Sequence, residues 1–274
     1  KDGSPLIHIS KQLHHKVAQK SNVPVALAMR YGMPDISGSL KELLDQGCRQ
    51  ILVIPLYPQH AMSTTETVIE AVKKELKKYP KLEFDYLPAF YNDPNYLSVL
   101  SQSIKDDMKD EEYDHLLFSY HGIPERHIRK TDPTGSHCKI DEECCNNDSV
   151  ARDVCYRHHC FATTESVAKS LNLEPGTYSV SFQSRLGKDP WLQPYTSSHI
   201  SELAQKGVKK LAVVTPAFVS DCLETLEEIA MEARNDFLSD GGESFKAIKC
   251  LNDRDDWATT IAHWIENWQT QETT

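Results

Sequence analysis

No run of 18 apolar residues occurs anywhere in the chain, so no segment can cross a bilayer as a helix. A basic surplus is also lacking. Thirty Lys and Arg against forty Asp and Glu leave a formal charge of −10, which argues against a partner built on a phosphate backbone. KDGSPLIHIS, the opening segment, has neither a Met nor an apolar signal core and reads as the interior of a longer chain. Finally, no Cys-x2-Cys pair exists, which removes the common zinc spacings. What remains is ordinary for a globular protein: 274 residues, 39% hydrophobic and 26% charged, enough for one large α/β domain or two smaller ones.

The apolar residues fall into short runs bounded by Pro, Gly or polar residues. PVALAMR (24–30), ILVIPLY (51–57), FDYLPAF (84–90), HLLFSYH (115–121), TYSVSFQ (177–183) and KLAVVTP (210–216) read as buried strands. Between them, helical periodicity covers 39–48, 65–79, 96–108, 150–171, 198–207 and 222–238. This alternation predicts βα units and mainly parallel sheet, in two halves that divide at the polar stretch KDEEYD (109–114). The aperiodic, Cys- and Asn-rich stretch 129–149 reads as an insertion into the second half.

Two segments carry chemistry. In SYHGIPERH, His121 ends an apolar strand and precedes Gly122 and Pro124, so the chain turns and leaves the imidazole at the sheet's C-terminal edge. An imidazole there suits metal ligation or proton acceptance, or a purely structural role. In SDCLETLEEIA, Ser220 or Asp221 is placed to cap a helix, with Glu224 completing a capping box. Asp221, Glu224 and Glu228 also have the spacing that stacks side chains on one helical face. Such a row is either a solvated helix start or, facing a cleft, a path for protons or a divalent cation. Five of the eight cysteines, Cys138, Cys144, Cys145, Cys155 and Cys160, cluster in one segment and read as metal ligands before disulfides.

Taken in order, MRYGMP (29–34), IPLYPQHAMSTT (54–65), FSYHGIPERH (118–127), SFQSRLGKDPWLQPYT (181–196) and TPAFVSDCLETLEEI (215–229) resemble the ferrochelatase family. The resemblance implies a chelatase-like α/β fold of two similar Rossmann-like lobes, 1–113 and 114–274, each with a parallel four-stranded sheet, around a central cleft. A Cys-rich insertion would occupy about 129–160, and the family's first strand and lip would precede this chain. The implied activity is insertion of Fe²⁺, as substrate, into protoporphyrin IX to form protohaem. His121 and Glu224 would be the catalytic pair, with Asp221 and Glu228 serving metal entry or proton relay. Arg30, Tyr31, Tyr57, Ser63, Thr64 and Trp191 would bind the porphyrin, with Gln183, Ser184 and Arg185 shaping the cleft floor. Cys222 stands where the family often has a histidine.

Some members of the family carry a 2Fe-2S cluster, and Cys138, Cys145, Cys155 and Cys160 are the ligands so implied here, with Cys144 the rival of Cys145. A zinc site completed by His158 or His159 is the lesser alternative. A cobalt or nickel chelatase, coproporphyrin as substrate, and a non-enzymatic haem or iron carrier stay open beside the main reading. Nucleic acid is not an expected partner. The expected location is the cytoplasm, with peripheral contact to the inner membrane.

Overall fold

Helix starts are written in Pro and Asp. Pro5 and Pro94 occupy first-turn positions, where the missing N–H costs nothing, and Asp93 Oδ1 accepts from the backbone N–H groups of Asn95 (3.0 Å) and Tyr96 (2.9 Å). The structure, a computed structural model, describes residues 4–141 and 143–272. In the first half, helices α1 (Pro5–Lys20) and α2 (Ile36–Asp45) precede strand β1 (Gln50–Val53). A π-helical segment, Met62–Glu66, then leads into α3 (Thr67–Leu76), followed by β2 (Glu83–Tyr86) and α4 (Pro94–Asp107). The second half runs β3 (His115–His121), α5 (Glu125–Thr131), α6 (Tyr156–Leu171), β4 (Tyr178–Gln183), α7 (Thr196–Gln205) and β5 (Lys210–Val214). A longer π-helix, Glu224–Ala233, continues as α8 (Arg234–Ser239) before β6 (Ser244–Ala247) and α9 (Asp255–Glu272).

All ladders are parallel. The second half holds a four-stranded sheet in the order β4-β3-β5-β6, and the first half a two-stranded sheet of β1 and β2. The α/β class with parallel sheets is as expected, but among the described residues only the second half has four strands. PVALAMR does not join a ladder beyond a single Met29–Asp35 bridge. Its carbonyls are taken by side chains instead: His14 Nε2 donates to Val25 O (2.8 Å) and Ser39 Oγ to Leu27 O (2.5 Å). Three strands stop short of the predicted ends because Pro55, Pro88 and Pro216 have no N–H to donate.

Alternation along β3 sorts the interior. Leu116, Phe118 and Tyr120 enter a core shared with α1, α4 and α9 through Leu13, Leu100, Trp257 and Ile261, so one apolar cluster joins both halves of the chain. Leu117 faces the other way, into a second cluster with Ile200, Leu203, Ile229 and Phe237. Ser119 and His121 share that second direction, which makes the C-terminal end of this face polar.

Candidate active site

Strand order places the chemistry. After β3 the chain adds β4 on one side and then returns to add β5 on the other, so its crossovers leave in opposite directions from the C-terminal ends of β3 and β5. Ligands of open α/β sheets bind in the crevice that such a reversal opens. His121 is the last residue of β3 and lies at that crevice, half-buried, its ring 6.4 Å from Trp191 and 6.1 Å from Phe218. Nδ1 of His121 is 2.6 Å from the Gly122 carbonyl. A carbonyl only accepts, so Nδ1 carries the proton and neutral His121 presents the Nε2 lone pair. Gly122 is needed here: a Cβ would meet Gln183 O at 2.9 Å and Trp191 Cε3 at 3.1 Å. Tyr156 Oη donates to the His121 carbonyl (2.7 Å), fixing the strand end from α6.

The acidic segment departs from the α-helical row. Asp221 precedes the helix, is 8% exposed, and is held by Thr225 Oγ1 (2.9 Å) and Asn252 Nδ2 (2.6 Å). No capping box forms with Glu224, because Thr225 takes the capping bond instead: its Oγ1 accepts from Cys222 N (3.1 Å) while donating to Asp221. From Glu224 onward the wider π-helix changes which residues align, so the three carboxylates have separate surroundings. Glu224 is exposed at the π-helix start. Burial, then contact with the Glu224 carboxylate, push the neighbouring Cys222 thiol up to about 12. Glu228 reaches back to the end of β4, accepting from Ser184 N (2.7 Å), Ser184 Oγ (2.5 Å) and Gln183 Nε2 (3.4 Å). Ser184 holds this grip from the left-handed region, at φ 64°.

Several of the expected porphyrin contacts are brought together. The Arg30 guanidinium lies over the Tyr31 ring at 4.4 Å. Burial, then Tyr31, raise the Tyr57 phenol, while Arg30 opposes, which places all three side chains in one neighbourhood. Arg30 Nε is buried without a protein partner, an arrangement that a carboxylate ligand would satisfy. Ser63 and Thr64 lie on the π-helical segment Met62–Glu66, Ser63 exposed and Thr64 half-buried. Trp191 is 8% exposed and bridged to Pro124, so it forms a wall behind His121. Arg185 stacks on Tyr195 at 4.8 Å. Exposed apolar side chains flank these segments: Tyr31, Met33, Leu186, Leu223 and Leu226.

The five clustered cysteines are all free and buried. Cys155 contacts both Cys138 and Cys145, and Cys160 lies within the electrostatic reach of Cys145. Arg157 Nη1 stands 3.2 Å from Cys145 Sγ and 3.8 Å from Cys144 Sγ. Cys144 faces outward, its thiol bonded to Asp141 O (3.8 Å) at the wall of a surface hollow of about 420 Å³. Burial, then Asp132, push the Cys138 thiol up to about 11, and burial raises Cys160 well above the usual thiol range. Soft, buried thiols beside an Arg suit a thiolate-bound metal, whose loading would release their protons. They nevertheless meet in pairs: among the described residues no three His, Cys, Asp or Glu side chains converge on one metal position. His159 is not free to complete a zinc site. Its Nδ1 accepts from His60 N (3.1 Å), its Nε2 donates to Arg152 O (2.8 Å), and its ring stacks on Tyr91 at 3.6 Å. His158 donates from Nδ1 to Cys145 O (3.0 Å).

A sequence profile of the ferrochelatase family matches residues 1–269. The chain belongs to the ferrochelatase family. It is 48% identical over 263 residues to the ferrochelatase of Ectopseudomonas mendocina (strain ymp), covering 95% of this chain and 77% of that one. The ferrochelatase of Opitutus terrae (strain DSM 11246 / JCM 15787 / PB90-1) is 43% identical over 271 residues, covering 98% of this chain and 78% of its own length. Among solved structures, SirB from Bacillus subtilis with Fe³⁺ superposes with a TM-score of 0.60 at 14% identity, covering 96% of this chain and 91% of that one. CbiX, described as the terminal enzyme for siroheme biosynthesis in denitrifying bacteria, gives 0.52 at 16% identity, covering 96% and 90%. At these identities the structural neighbours speak for the chelatase-like fold alone.

In this ferrochelatase-family chain, two contributors to the site belong to no recognisable motif. Tyr156 and Asn252 come from regions far along the chain, and their contacts with His121 and Asp221 exist only after folding. Ser119 and Ser181 are different: serines inside otherwise apolar strands (LLFSYH, YSVSFQ) signal a buried polar layer, and both are fully buried.

Proposed function

We propose that the protein inserts Fe²⁺ into protoporphyrin IX to give protohaem, the terminal step of haem biosynthesis, as a metal–tetrapyrrole lyase. Membership of the ferrochelatase family supports this, and the observation that carries the chemistry is His121 at the crevice with its Nε2 lone pair free. Insertion breaks two pyrrole N–H bonds, forms bonds from those nitrogens to iron and releases two protons with no net redox change. Nε2 of His121 is the acceptor for one proton at a time, passing it toward Glu224 and water. Glu228, fixed by three donors, supplies standing negative charge beside the path of the entering cation. Asp221 acts in this reading by anchoring the loop to Asn252.

Trp191 and Phe218 form apolar walls for the flat ring, and Arg30 with Tyr31, Tyr57, Ser63 and Thr64 receives the propionates. Bending the bound ring would expose nitrogen lone pairs to the metal, a use of binding energy for distortion. The division into lobes 1–113 and 114–274 fits the two sheets. A 2Fe-2S cluster would sit on Cys138, Cys145, Cys155 and Cys160, where it is structural or sensory because the reaction needs no electrons. No described helix is long and apolar enough to cross a membrane. We read the protein as cytoplasmic, with the exposed apolar residues beside the site touching the inner membrane peripherally.

The test is anaerobic Fe²⁺ insertion into protoporphyrin, with His121→Ala beside the native protein. The variant is expected to lose about a thousandfold in kcat while still binding porphyrin. Porphyrin binding without haem formation by the native protein would replace the enzyme with a carrier.

A further inference from the structure

Four buried side chains at the end of the four-stranded sheet form a single line of hydrogen bonds leading to the acidic segment. Ser181 Oγ lies 2.8 Å from Thr196 Oγ1, Thr196 Oγ1 lies 2.8 Å from Ser119 Oγ, and Ser119 Oγ lies 2.9 Å from Gln183 Oε1. Gln183 Nε2 then meets the Glu224 carbonyl at 3.2 Å and Glu228 Oε2 at 3.4 Å. All four are buried, none more than 4% exposed. They come together because β3 and β4 pair Ser119 with Ser181 and His121 with Gln183, and because Thr196 opens α7 directly over that face.

The direction of every bond is fixed from the site outward. The Glu224 carbonyl and the Glu228 carboxylate can only accept, so the Gln183 amide must turn its NH₂ toward them and its oxygen toward Ser119. Ser119 therefore spends its one hydrogen on Gln183. Thr196 must donate to Ser119, and Ser181 must donate to Thr196. Reversing any one of these bonds leaves two donors or two acceptors facing each other inside the protein. The line has one stable polarity, and in that polarity the Ser119 hydroxyl braces the Gln183 oxygen while its NH₂ faces the two acceptors.

We infer that Ser119 and Thr196, acting through Gln183, are positioning residues for metal insertion: they hold the first turn of the π-helix and Glu228 where the entering Fe²⁺ passes. Neither touches substrate. Breaking the line at Thr196 leaves Ser119 free to rotate its hydrogen away from Gln183, whose amide then loses the bond that braces its oxygen and holds the Glu224 carbonyl and Glu228 more loosely. Ser181 is the outermost member and donates only to Thr196, so its loss leaves the inner bonds and their polarity intact.

This inference rests on the insertion activity proposed above. The experiment measures anaerobic Fe²⁺ insertion, porphyrin binding by fluorescence and thermal midpoint for Thr196→Val, Thr196→Ser, Ser119→Ala and Ser181→Ala beside the native protein. Thr196→Val and Ser119→Ala are expected to lower kcat about tenfold, in the range of indirect supports of metal chemistry, with porphyrin affinity within about twofold. Thr196→Ser restores the rate and Ser181→Ala stays near native. If Thr196→Val does not fold, Ser119→Ala carries the comparison. Native rates in both inner variants, failure of Thr196→Ser to rescue, or a Ser181→Ala loss as large as the others would overturn the positioning role. Absence of insertion by the native protein would instead overturn the activity itself.

Discussion

Gly122 sits between a backbone carbonyl and an indole, and this governs His121 more than any side-chain partner does. Adding a methyl group must move either Gln183 O, which belongs to the β3–β4 ladder, or Trp191, which walls the crevice. Overpacking of this kind costs about 1–3 kcal/mol. Gly122→Ala should lower the urea midpoint accordingly and reduce kcat for insertion, since any shift of residue 122 carries with it the carbonyl that fixes the His121 tautomer; a native kcat would show that the tautomer is set elsewhere. His121 itself was legible in the sequence because a strand end followed by Gly and Pro leaves little freedom. The separate fates of Asp221, Glu224 and Glu228 were not. Spacing of three and four presumes 3.6 residues per turn, and the turn here is wider.

Elements with strong periodicity were readable, and those whose polar faces dilute the pattern were not. β3, α4 and α7 lie within two residues of their expected spans, whereas α1 and α9 show no readable period, their apolar residues interspersed with His, Thr and Gln. The expected helix 150–171 divides at Cys155 into a 3₁₀ turn (Val150–Val154) and α6. That break is what turns Cys155 toward Cys138 and Cys145. Spacing could not choose between the adjacent Cys144 and Cys145, but their surroundings differ: Cys145 faces Cys155, and Cys144 faces Asp141 and the hollow. Protein purified anaerobically should therefore hold iron and acid-labile sulfide at about two each per chain, retained in Cys144→Ser and lost in Cys145→Ser. The opposite pattern would exchange their roles, and sulfide-free protein would remove the cluster.

Across the whole molecule, two buried neutral histidines tie stability to pH. His159 belongs to α6 but receives its bond from His60 in the first half, and His115 sits at the base of β3, bonded to Ser179. Burial depresses His159 to about 3 and, with His199 nearby, His115 to about 4. Above the unfolded value of 6.5 both states are neutral and the full stability is present. As pH falls below 6.5 the unfolded chain takes up protons that the folded protein refuses, so stability drops by roughly 1.4 kcal/mol per pH unit for each histidine, levelling off near the folded values. Carboxylates are nearly all ionised in both states over the upper part of that window, so between pH 6.5 and 5 the slope belongs chiefly to histidine. Other groups face His159: Tyr91 stacks on it, while His158, His60, Arg152 and Asp153 lie around it. Only a substitution at position 159 isolates its share. His159→Gln keeps a group able both to donate and to accept but cannot titrate, so its urea-unfolding free energy should fall between pH 6.5 and 5 with a slope lower by about one proton. An unchanged slope would mean that His159 is protonated in the folded protein, which its bond from His60 N–H forbids, and would place the link between the two halves of the chain elsewhere.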